Sequence, residues 1–250
     1  MREVDGSKGM GQLGERAHCY KGSPPSMVKI ASFLVRSSCI LLTLSIISMA
    51  NYTLSVAIDR NQFQFLRAND YKLCISRETN GKYTTVWSAI EFNERHHFRW
   101  SEEFQIYWMQ NFAEGIEAEA ECNPVPIAYG QTVTIQPDTS LSDAAGTPDD
   151  SGSFKVINKT SIPLNIALSA QICGEWGACF VSPYKVMAGC PDTLTPLTKV
   201  KVWFSQSNTG GSMITEVNGP FINVLFDGTT KHKVSFSGAV SGAGVWALTD

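Results

Sequence analysis

Few clusters in this chain have the residue types and spacing that chemistry needs. His96 and His97 follow Glu94 and form the densest run of metal-ligand types. Adjacent residues of a strand point to opposite faces, so two neighbouring imidazoles do not converge on one ion. Their expected setting is a solvated loop, and His232, between Lys231 and Lys233 after the Asp227-Gly228 turn, reads as a hairpin tip. No CxxC pair or His-flanked cysteine spacing marks a structural zinc site. Nucleophilic catalysis lacks its marker as well: there is no Gly-x-Ser-x-Gly elbow, and Ser237 and Ser241 each precede a glycine in a small-residue tail with no base partner nearby. A cysteine–histidine pair would have to be assembled in space from Cys74, Cys122, Cys173, Cys179 or Cys190 and His96, His97 or His232. The stretch 208–212 is glycine-containing but lacks the lysine and following helix of a phosphate-binding loop. No catalytic residue, metal or cofactor is assigned.

Carboxylates and aromatic rings remain. Glu117, Glu119 and Glu121 alternate in a row after Glu114 and could hold calcium or a basic partner, but such rows on a strand face repel one another and also guard exposed sheets. Asp143, Asp149 and Asp150 form a second acidic patch without EF-hand spacing. Trp176, with Gly174 and Gly177 about it, is the candidate ligand-binding residue, an indole in a loop that can meet a sugar face or a membrane interface. Cys173 and Cys179 flank that loop, so a Cys173–Cys179 bridge is one candidate disulfide and Cys173–Cys190 its rival. In a reducing compartment all five downstream cysteines read instead as small apolar side chains. Asn51 and Asn158 open glycosylation sequons, and Asn158, farther from the apolar segment, is the better candidate.

Compartment turns on the apolar segment 39–50. Lys29 and Arg36 precede it, and Ser48 and Ala50 stand at the −3 and −1 positions of a cut after Ala50, the layout of a secretory signal. Its apolar core is shorter than the roughly 20 residues that a spanning helix needs, so a secreted protein is expected over an anchored one. A start at Met49 would make residues 1–48 an extension and the protein cytoplasmic. Residues 51–250 carry 14 basic and 20 acidic side chains, a net −6. That balance has no footprint for nucleic acid, which is held by clustered Lys and Arg.

The elements that would position these residues alternate apolar and polar side chains. Residues 52–59 put Tyr52, Leu54, Val56 and Ile58 on one face, the period-2 pattern of a half-buried strand. A brief alternation over 61–66 extends the pattern. Asn80-Gly81 predicts a type I′ corner that pairs 71–76 with 83–88. Strands are also expected at 98–100, 104–109, 115–122, 131–136, 153–158, 164–169, 181–186, 199–204, 212–217, 221–226, 233–236 and 244–248, with one short helix near 108–115. The polar run 138–152 reads as a linker or exposed loop between a β unit at 51–137 and another at 153–250. Strand spacing of about 8 to 12 residues predicts an all-β, antiparallel sandwich, as one large or two packed small ones, behind an N-terminal apolar helix or signal in residues 1–50. Three functions fit: a non-enzymatic lectin-like glycoprotein, secreted or on the cell surface, that binds carbohydrate, a lipid surface or protein through end loops; a membrane-active, pore-forming protein whose hairpin spans about 234–245; or a β-barrel enzyme with a buried pocket and no motif.

Overall fold

The computed structural model describes residues 50–250. The signal, anchor and extension readings therefore fall outside the described residues, apart from Ala50. The elements are β1 (Tyr52–Ile58), α1 (Arg60–Ala68), β2 (Lys72–Thr79), β3 (Ser88–Ile90), β4 (Arg95–Met109), β5 (Val125–Ile127) and β6 (Thr132–Ile135). They continue with β7 (Phe154–Asn158), β8 (Asn165–Ile172), β9 (Glu175–Val181), β10 (Pro191–Leu194), β11 (Pro196–Ser205), β12 (Phe221–Leu225), β13 (Lys231–Ser237) and β14 (Val245–Leu248). The chain is mostly β, and most of its strand pairs are antiparallel. The β1–β13 and β6–β7 pairs are parallel.

Three sheets result. The largest runs β14-β13-β1-β4-β8-β9 with β5 added to β4, a second runs β12-β11-β2-β3, and the third is β10-β7-β6. All three sheets combine strands from before and after 138–152, so that run does not divide one sheet from another. The run itself folds back along β6 through the Thr132–Ala145 and Ile135–Leu141 bridges, and the Thr139 carbonyl accepts the Trp108 indole N–H at 2.8 Å. One hydrophobic core joins the sheets: Leu54, Phe98 and Leu168 from the first, Ile75 and Val202 from the second, and Val133 and Phe154 from the third.

Several elements differ from the sequence reading. Residues 61–66 are helical because Asp59 caps α1, its Oδ1 accepting from the Gln62 N–H at 2.9 Å, and because the buried positions are Gln62 and Leu66, four apart on one helix face. The acidic row is not a strand. Around it only single bridges form, Glu117 to Ser212 and Thr85 to Met213, and Ile116 is exposed. No helix forms near 108–115, since Trp108 and Met109 complete β4. Asn80 and Gly81 do turn with φ of 51° and 74°, closed by both hydrogen bonds between Thr79 and Lys82. The chain then leaves the ladder and rejoins it as β3, pairing Leu73, Cys74 and Ile75 with Ile90, Ala89 and Ser88, so that of 83–88 only Ser88 takes part. The strand expected at 181–186 lies earlier, as β9.

Candidate functional site

A two-residue turn, Cys173-Gly174, joins β8 to β9, with φ of 53° and 90°. Both central positions being left-handed makes it a type I′ corner, unusual for a cysteine. Its backbone is held from the next strand, the Cys173 N–H donating to the Arg99 carbonyl at 2.7 Å. The turn sets Glu175 opposite Ile172 and Trp176 opposite Gln171 on β9, an edge strand. Trp176 thus lies on a strand and not in a loop, with 43% of its surface exposed.

Beside it opens a cleft of about 550 Å³, within the range that holds small ligands. Trp87, Phe98, Ile172 and Ala178 give it an apolar floor, while His96, Glu117, Cys173, Glu175 and the backbone of Gly210 and Gly211 bring polar groups. They come from five stretches of the chain, at 87, 96–98, 117, 172–178 and 210–211. Trp87 is anchored by its indole N–H on the Ala170 carbonyl at 3.0 Å. Gly177 permits that approach, because a Cβ there would stand 2.8 Å from the Trp87 carbonyl oxygen. Glu117 is fixed by the neighbouring Ala118 N–H, which donates to the Gly211 carbonyl at 2.9 Å.

His96 lies in β4, not in a loop, with its ring edge-on to Phe98 at 4.9 Å between centroids. Its Nε2 is buried without a hydrogen-bond partner. Burial, and next the neighbouring His97, hold the imidazole pKa below its ordinary value, so the neutral ring is favoured. His97 is turned away and meets the Ser55 hydroxyl at 3.0 Å. Among the described residues, no group of three His, Cys, Asp or Glu side chains is placed to hold a metal ion. Asp138 and Asp149 instead accept from the Ser140 and Ser151 N–H groups in local turns. His232 is not a hairpin tip. It lies in β13 and bonds through Nδ1 to the Asp250 carboxylate.

The remaining sequence candidates scatter. Cys173, Cys179 and Cys190 are all free thiols. Cys173 is exposed at its corner, Cys190 is exposed before β10, and Cys179 is buried in the core, where burial pushes its thiol up to about 12. Asn158 is buried, not displayed. Its side-chain amide donates to the Ile162 and Val186 carbonyls, and its Oδ1 accepts from the Thr160 N–H and hydroxyl. That side chain has no free nitrogen for a glycan in the folded chain. Of the sequence candidates the cleft brings together Trp176, Cys173, His96 and Glu117. Glu175 was not singled out by sequence, and Gly210 and Gly211 were weighed there only as part of a phosphate-binding loop. No family model, curated protein or solved structure matches this chain significantly.

Proposed function

We propose that this chain is a β-sandwich binding protein, acting outside the cell or at its surface, that takes a carbohydrate in the Trp176 cleft. The observation that carries this is the half-exposed indole at the mouth of a cleft that also holds Glu117 and Glu175. An indole face covers the C–H surface of a pyranose, and carboxylates accept from its hydroxyls. The two carboxylates disfavour an anionic ligand, so a neutral sugar is the better match. A glycan array with wild type and Trp176→Ala tests the reading: bound neutral glycans should be lost in the variant, and an array on which wild type binds nothing contradicts it.

Adsorption to a lipid surface is the second reading, favoured by exposed Val240, Val245 and Leu248 on the β13–β14 hairpin and Phe221 and Leu225 on β12. Dye release from liposomes and co-sedimentation with them test it, and no response in either sets it aside.

A further inference from the structure

A different cavity, of about 380 Å³, lies over the outer face of the β12-β11-β2-β3 sheet, against the covering segments that carry Tyr83 and Ile214. Lys201 of β11 stands in it, directly across from Ser76 of β2. Its ammonium is clamped between two rings, 4.4 Å from the centroid of Tyr83 and 4.5 Å from that of Phe221. The neighbouring Lys199 has its carboxylate, Glu78, at 2.8 Å. Lys201 has none: no ion pair forms at its ammonium among the described residues. One hydroxyl nearby is also short of a partner, since Ser76 Oγ is buried with no hydrogen bond, while the Tyr83 hydroxyl faces the Glu78 carboxylate.

Aromatic faces offset part of the hydration that a confined ammonium loses, but they leave its outward N–H groups unused. Burial is the largest influence on Lys201 and lowers its pKa, ahead of the opposing pull of Glu78. An acceptor of negative charge would complete this environment. The rest of the cavity is apolar where Phe112, Ile214 and Val217 line it. At its mouth one cation, Lys82, stands against one carboxylate, Glu216, so the interior charge decides the sign of the ligand. Glu78 is neutralised by Lys199.

We propose that this cavity binds a small organic carboxylate, its anionic end on the Lys201 ammonium and its hydrocarbon portion against Phe112, Ile214 and Val217. The inference does not depend on the Trp176 cleft. Hexanoate and its uncharged isostere hexanamide are suitable probes, added to ¹⁵N-labelled protein at equal concentration. Hexanoate should shift the amide signals of Tyr83, Thr215 and Val217 at concentrations at least tenfold lower than hexanamide. Lys201→Met should abolish that preference, whereas Lys155→Met, at an exposed lysine of β7 outside the cavity, should keep it. Equal response to the two probes, or an undiminished preference in Lys201→Met, overturns the proposal. Should Lys201→Met fail to fold, the wild-type comparison decides alone.

Discussion

Arg77 is the residue on which the interior most depends. Its side chain is fully buried, with one guanidinium nitrogen 2.8 Å from Glu102, Nε donating to the Leu197 carbonyl at 3.1 Å, and the cation 4.7 Å from the Phe104 ring centroid. Removing Glu102 strands that charge in the core. Glu102→Ala is therefore expected to cost about 3 kcal/mol, while the double change Arg77→Met with Glu102→Ala costs less than the single one, because no charge is left unpaired. Urea denaturation of both variants measures the difference. Asn158 has the same character in neutral form, with four hydrogen bonds converging on one amide. Asn158→Ala should cost about 3 kcal/mol through the buried groups it abandons, and mass spectrometry of the native protein should find that site unmodified. The thiols divide by access: Cys173 and Cys190 should react with iodoacetamide in the folded protein. Cys74 and Cys179, both buried and with thiols pushed up to about 12, should react only after unfolding.

At the scale of elements, α1 and the β13–β14 hairpin form one assembly. Gln62 donates to the Gly238 and Val240 carbonyls at 3.0 and 2.6 Å and accepts from the Gly242 N–H at 3.0 Å, while Asp59 Oδ2 accepts from the Gly238 N–H at 2.8 Å. A helix of nine residues is marginal by itself and gains its stability from such docking. Gln62→Ala should therefore speed hydrogen exchange across α1 and residues 238–248 together, with little change in β8. If only α1 accelerates, the two elements are not coupled. This docking also explains what sequence could not reveal. The helix was illegible because a buried glutamine four residues before a leucine makes sense only beside a loop some 180 positions away. The corner at Asn80-Gly81 was legible because its two positive φ angles are a local demand. The glutamate row misled because its sequence alternation is met only by single bridges to 211–213 and no pleated ladder forms, which leaves Ile116 exposed. Trp176 could be picked out as a residue, yet its strand, its exposure and its neighbours Glu175, Gly210 and Gly211 depend on segments far apart in the chain.

Across the whole molecule, the sheets share one core and leave the Trp176 cleft beside two edge strands, β3 and β9. His96 links that cleft to pH. Its folded pKa lies below the ordinary value, so the unfolded chain binds more protons as pH falls below about 6.5, and folding stability is lost in that direction. His96→Gln should flatten this part of the stability profile, as urea denaturation across that pH range would measure. The most direct test of carbohydrate binding is an amide-resolved titration of ¹⁵N-labelled protein with a panel of neutral oligosaccharides. Binding in the Trp176 cleft should give shifts concentrated at 88–90, 96–98, 117–118, 172–178 and 210–211, absent in Trp176→Ala. Shifts clustered elsewhere, or none with any neutral sugar, would contradict it.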